Sequence, residues 1–188
     1  MKNIAKYMKH KIILDLCGGT GSWSKPYKDN DYDVRLITLP EYDVLNYTPP
    51  ENVYGILAAP PCTDFSNSGA RWFKDKDING STIESQGVLI ACLKIIALCM
   101  PVFWALENPV GRVRRWLNTP TLIFNPCDYG DPYTKKTLLW GTFNIPIKNP
   151  VEPTDGSKMH LLPPSKDRAA LRAITPPHFA QAFYEANK

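Results

Sequence analysis

The chain has 188 residues, 44% of them hydrophobic and 21% charged, an ordinary globular composition with enough length for one sizeable core. Its formal charge of +4 is uneven: residues 1–100 hold 11 Lys/Arg and 11 Asp/Glu, whereas residues 101–188 hold 11 and 7, a mild C-terminal excess compatible with a polyanionic partner. The five cysteines (Cys17, Cys62, Cys92, Cys99, Cys127) are odd in number and include no Cys-x-x-Cys pair, which argues against a disulfide framework or a metal site and for a reducing, cytoplasmic setting.

In chain order, residues 1–10 alternate lysine with apolar residues and lack the apolar run of a signal peptide. Residues 11–16 (KIILDL) form an apolar run that stops at the turn Gly18-Gly19-Thr20-Gly21, the pattern of a first core strand. Residues 34–39 (VRLITL) and 53–59 (VYGILAA) are the next strand candidates, the latter closed by Pro60-Pro61. Residues 87–106 are nearly all apolar, but Lys94 and Pro101 interrupt them. No membrane span is expected; a buried helix over residues 82–100 and a buried strand over 102–106 are. Strand and helix alternate, as in a parallel sheet wound with helices on both faces, whose ligands sit at the carboxyl ends of the strands.

Beyond residue 110, residues 120–127 and 135–143 (KKTLLWGTF) read as strands forming an antiparallel edge or hairpin. Residues 144–165 are proline-rich and aperiodic, an expected irregular loop. The last element is a helix over residues 176–188, with Thr175 as N-cap and Pro176 at the first position. One domain spans residues 1–188.

Three pieces fall just beyond strand candidates: residues 15–21, residues 59–66 (APPCTDFS), and Glu107-Asn108-Pro109. In a wound sheet they converge on one edge, bringing together a glycine loop, a cysteine and a carboxylate. The glycine loop matches neither a P-loop nor the spaced dinucleotide fingerprint; its glycines would let the backbone approach a ligand closely, with a tight strand-to-helix turn as the lesser alternative. Cys62 follows two prolines that would present its thiol rigidly, although a small buried cysteine is the commoner fate, and the one expected for Cys92, Cys99 and Cys127. Glu107, closing an apolar strand, would have a raised pKa and could donate a proton; alone it is equally an exposed or paired carboxylate. Nucleophile plus acid suggests covalent catalysis on an electron-poor ring.

In this order the motifs resemble the cytosine-5 DNA methyltransferase family across nearly the whole chain. Asp15, Gly18, Gly19 and Gly21 resemble its S-adenosyl-L-methionine (AdoMet) loop, Asp43 the acid that meets the adenine, Pro61-Cys62-Thr63-Asp64-Phe65-Ser66 its Pro-Cys motif, and Glu107-Asn108 its Glu-Asn motif. Residues 129–133 with Lys135, Lys136 and Leu138 resemble its basic strand, and Thr175-Pro176-Pro177 its last motif, beside the cofactor. The resemblance implies a Rossmann-like AdoMet-dependent methyltransferase fold and methyl transfer to C5 of a flipped-out cytosine in DNA. Cys62 and Glu107 would be catalytic, and Ser66, Asn108, Arg112, Lys135 and Lys136 would contact substrate. The basic motif differs, with Tyr133, Lys135 and Thr137 where the family has a glutamine and two arginines; Cys17 replaces an aromatic residue, and Thr38 stands where an acid binds the ribose, leaving Glu41 as a substitute.

Residues 144–165 take the place of the family's target-recognition domain, so little sequence specificity is expected of the chain itself; the short loop could read one or two bases, and a partner protein or self-association could restore specificity. Methylation of RNA, single strands or nucleotides, and a non-catalytic AdoMet-fold protein that binds nucleic acid, remain as alternatives; the latter needs neither Cys62 nor Glu107.

Overall fold

The computed structural model describes residues 11–166 and 168–188; the signal-peptide reading of residues 1–10 lies outside them. Six strands form one sheet: β1 (Ile12–Leu16), β2 (Asp33–Ile37), β3 (Val53–Ala58), β4 (Phe103–Pro109), β5 (Leu122–Phe124) and β6 (Thr137–Thr142), in the order β2-β1-β3-β4-β6-β5. The first four are mutually parallel, and β6 runs antiparallel to both β4 and β5. The result is a Rossmann-like wound α/β sheet with one reversed strand. Its order changes direction between β1 and β3, and ligands bind at such switch points.

Alternation along the strands divides the core into two layers. Ile12, Leu14 and Leu16 of β1, Ile56 and Ala58 of β3, Leu106 of β4 and Leu138 and Trp140 of β6 face one side. That side is covered by α3 (Ser81–Cys99) and by Val113 of the short α4 (Val113–Leu117). Ile13, Leu57, Phe103, Ala105 and Leu139 face the other side, under α1 (Lys25–Lys28) and α7 (Pro177–Asn187).

The α7 helix buries Phe179, Ala180, Phe183, Tyr184 and Asn187 at helical spacing. Asn187 fastens its end, accepting the Asn144 N–H at 2.8 Å and donating to the Asn144 carbonyl at 3.1 Å. At its start, Pro176 is the N-cap in place of Thr175 and makes no side-chain cap. The buried Asp131 does this from a distance, accepting the His178 N–H at 3.3 Å and lying 3.1 Å from its Nδ1.

The strands begin and end within a few residues of the sequence-based bounds, but β4 runs on to Pro109, so Glu107 and Asn108 lie inside it. Pairing with β6 extends it, placing Glu107 opposite Leu139 and Asn108 opposite Leu138. Residues 120–127 shrink to a three-residue strand followed by a 3-10 turn at Pro126–Asp128. Short helices α2 (Phe73–Ile78), α5 (Lys158–Leu161) and α6 (Arg168–Ala173) were not apparent from the sequence. The α3 helix is not buried all round: only Thr82, Leu89, Cys92, Ile95 and Ile96 are fully covered.

Candidate active site

Strand register defines the sheet's carboxyl edge. Ile37, Leu16, Ala58 and Leu106 stand side by side across the four parallel strands. The glycine loop starts two residues beyond this row, Cys62 lies four beyond it and Glu107 one beyond it. Because β6 runs the other way, Lys135 and Lys136 enter the sheet at this same edge, just before Thr137.

Asp15, the penultimate residue of β1, is fully buried. The Ser24 hydroxyl donates to its Oδ2 at 2.5 Å, while its Oδ1 has no partner. Burial raises its pKa to about 6 against the weaker help of Ser24. The chain then passes through left-handed backbone at Cys17 (φ 57°), and Gly18 crosses directly over the carboxyl group. A Cβ on Gly18 would sit 2.3 Å from Asp15 Cγ, so any side chain there would displace the carboxylate. The Thr175 N–H donates to Ser22 Oγ at 2.9 Å, tying the last motif to this loop. Asp43 lies past β2, where its Oδ1 accepts the Leu45 N–H at 3.0 Å, so the carboxylate is fixed while remaining partly exposed. Exposed Leu39, Tyr42 and Leu45 surround it in sequence.

Several bonds hold the Cys62 loop against the end of β4. The Asn108 amide donates to the Pro60 carbonyl at 3.0 Å, Asn67 N–H to the Val110 carbonyl at 2.9 Å, and Arg112 N–H to the Phe65 carbonyl at 2.8 Å. Ser66 and Gly111 form a bridge, and a Cβ on Gly111 would collide with the Phe65 carbonyl oxygen at 2.0 Å. The segment after the Glu-Asn pair therefore doubles as the cradle of the cysteine loop. Asn108 Oδ1 is buried without a partner.

Cys62 and Glu107 interact electrostatically. Desolvation raises the Cys62 thiol pKa, and the nearby Glu107 carboxylate raises it further, while Lys135 and Arg172 oppose the shift. Burial likewise raises Glu107, again against Lys135. Both groups are thus biased toward their protonated forms. Glu107 borders a small cavity with Trp23, Lys135, Thr137, Thr175 and Pro176.

The other substrate candidates have partners within the chain. Lys135 Nζ donates to the carbonyls of Arg172 at 2.7 Å and Ile174 at 3.4 Å, holding α6 over the edge. The Arg112 guanidinium pairs with both oxygens of Asp77, at 2.5 and 3.0 Å, and lies 3.7 Å from the Phe73 ring, so it braces α2 against α4 beside the edge. Ser66 Oγ pairs with Ser68 Oγ at 2.9 Å, and Lys136 is exposed. The sequence reading did not single out Arg172, Ser22 or Ser24, which have no motif signal and reach the site only through long-range packing.

No family model matches the sequence, and no curated protein matches it. Among solved structures, the chain is similar to a protein described as a DNA modification methyltransferase encoded within a prophage (E. coli), with 16% identity over 82% of this chain and 56% of that one and a TM-score of 0.48. It is also similar to the methyltransferase EhMeth of Entamoeba histolytica, with 16% identity over 77% of this chain and 58% of that one and a TM-score of 0.49. The chain spans less than three fifths of either structure's length. At this level of likeness, function has to be argued from the residues themselves.

Proposed function

We propose that the chain is an AdoMet-dependent methyltransferase that acts on C5 of cytosine in DNA through a transient Cys62 adduct. One observation carries the reading: Cys62 and Glu107 lie at the carboxyl edge of adjacent parallel strands, beside a glycine loop that crosses a buried carboxylate. The loop fits a nucleoside-amino-acid ligand. Asp15 Oδ1 is a buried acceptor in want of a donor, the backbone at Gly18 leaves no side chain in the way, and Asp43 is a second carboxylate close enough to act on the Cys17 thiol beside the loop. AdoMet, when bound there, supplies an electrophilic methyl group.

The protein's own part follows from its side chains. Cys62 gives up its proton and its Sγ bonds to C6 of the cytosine, pushing electron density toward C5 and N3. Glu107, whose pKa is raised by burial against the opposing Lys135, donates a proton to N3 as charge develops there, stabilising the transition state more than the bound substrate. As N3 returns its proton to Glu107, C5 takes the methyl group, leaving the donor as its neutral thioether; a base then removes the C5 proton, and the returning electrons break the S–C6 bond to free the thiolate. Asn108 fixes the Cys62 loop through Pro60, and Lys135 and Arg172 offset the negative charge near the sulfur. Reaching C6 in a duplex requires base flipping, whose cost falls when the base is already unpaired. With the short segment 144–165 in the place of a target-recognition domain, methylation in many sequence contexts is expected.

Nucleoside mass spectrometry of DNA incubated with the protein and AdoMet tests this. The expected product is 5-methylcytosine. A methyl group on an exocyclic nitrogen, or methylated nucleosides from RNA alone, would overturn the assignment of position or substrate.

A further inference from the structure

The α3 helix covers the sheet with only part of its circumference. Ile83, Ile90 and Leu98 on its outer side are 69%, 62% and 61% exposed, and Met100 and Val102 just beyond it are 84% and 69% exposed. At about 100° per residue, Ile83, Gly87, Ile90, Lys94 and Leu98 fall on one arc, facing away from Leu89, Cys92, Ile95 and Ile96, which pack on the sheet, while Ala91 at the margin of the arc is partly buried against the core. A contiguous exposed apolar stripe of this kind marks an interaction surface.

The charges indicate what covers it. Glu84 and Lys94 are the only charged residues of α3. Both are exposed, and among the described residues neither takes part in any of the chain's ion pairs. They have opposite signs and lie about 15 Å apart along the axis at the helical rise, with the small residues Gly87 and Ala91 between them. A Cβ placed on Gly87 meets nothing within 4 Å, so the helix surface there is open to close approach.

If a second α3 is laid antiparallel across the first, with the two-fold axis at the level of Leu89, Glu84 faces Lys94 of the second copy, twice over. The same axis puts the open surface at Gly87 close to the crossing point. Ile83 then covers the aliphatic stem of Lys94 and the Leu98 end of the opposing helix. A parallel pairing would oppose Glu84 to Glu84, and burial in lipid would place both charges in the apolar zone at a cost of several kcal/mol. Charge pattern and apolar stripe share one isologous register.

We propose that this surface is occupied by a second copy of the same chain, paired through antiparallel α3 helices in a two-fold dimer. It lies on the α3 side of the sheet, opposite α1 and α7.

Sedimentation velocity across a concentration series, with charge-reversal variants, tests it. The wild type is expected to dimerise, Glu84→Lys and Lys94→Glu each to weaken dimerisation about tenfold or more by opposing like charges, and the double variant to restore it. Both positions are exposed, so thermal melts should show unchanged folding; Ile90→Lys gives an independent disruption. A wild type that stays monomeric at every concentration, a dimer indifferent to both single reversals, or a double variant that remains monomeric would each overturn the proposal. The α3 helix is also long and apolar enough to cross a membrane; flotation of monomeric wild type with phosphatidylcholine vesicles would overturn it in favour of a lipid surface.

Discussion

Beneath α7, Phe124 and Phe179 stack with centroids 3.9 Å apart, Trp23 meets Phe183 edge-on at 5.4 Å, and Tyr27 meets Tyr184 at 5.0 Å. At the carboxyl edge of the same strands, the buried Asp15 and the half-buried Glu107 have raised pKa values, and Cys17 adopts a left-handed backbone. Polar atoms without partners occur in both regions, but in the aromatic layer they are neutral ring and hydroxyl groups of Trp23, Tyr27 and Tyr129, whereas at the edge they include an oxygen of the titratable Asp15. An unpaired neutral group costs a fixed desolvation penalty at all pH values, and an unpaired carboxylate costs progressively more as it ionises. The aromatic layer therefore holds the fold together, whereas the edge carries a buried carboxyl group that costs stability as it ionises.

Phe183→Ala should have the largest effect: removing a fully buried ring should cost about 3–5 kcal/mol, a large fraction of a domain's total stability. Denaturant unfolding would report it, and a loss under 1 kcal/mol would show that the layer repacks freely. On the other side, Glu107→Gln should slow single-turnover methyl transfer by about 10²–10³-fold without lowering stability. A variant that weakens DNA binding and spares the chemical step would make Glu107 a binding residue.

Smaller effects sharpen the contrast. Asp15→Asn should stabilise the ligand-free protein by about 1–2 kcal/mol at pH 8 while abolishing AdoMet binding. The sign follows from linkage: the native pKa of about 6 lies above the ordinary 3.8, so the native state holds its proton more tightly than the unfolded chain. Stability is thus lost as pH rises from about 4 through 6, and the gain from the neutral amide should vanish below pH 4. Calorimetric melts over that range would measure it; a destabilised variant at pH 8 would contradict it. The smallest effect is on Cys62: its alkylation midpoint should lie above the ordinary thiol value, fall in Glu107→Gln and rise when Lys135→Met removes the opposing cation. A midpoint unmoved by either change would break the coupling of sulfur, acid and lysine.

These contrasts were unequally legible in the sequence. Apolar runs ending at glycine or Pro-Pro located β1 and β3 within a residue or two, because a strand that stops must turn its backbone out of the sheet. Cys62 and Glu107 could be brought to one edge on the strength of strand alternation alone. The true end of β4 could not, since its extension to Pro109 depends on pairing with β6, a partner about thirty residues away. The exposed side of α3 was hidden for a different reason: a helix apolar all round carries no periodic signal to show which face is covered. Nor could the partners of Arg112 and Lys135 be read locally. Asp77 lies on α2, 35 residues before Arg112, and the acceptor of Lys135 is a backbone carbonyl, which no side-chain pattern reveals.

A covalent bond between Cys62 and the cytosine ring is the step on which the proposed chemistry turns. DNA containing 5-fluorocytosine tests it directly, because fluorine at C5 cannot leave as a proton does and the S–C6 bond cannot then break. Incubated with the protein and AdoMet, such DNA should give a denaturation-resistant adduct whose tryptic map places the nucleotide on Cys62, and Cys62→Ser should form no adduct while keeping the wild-type melting temperature. An adduct on Cys17, Cys92, Cys99 or Cys127, or methyl transfer by Cys62→Ser at the wild-type rate, would contradict it.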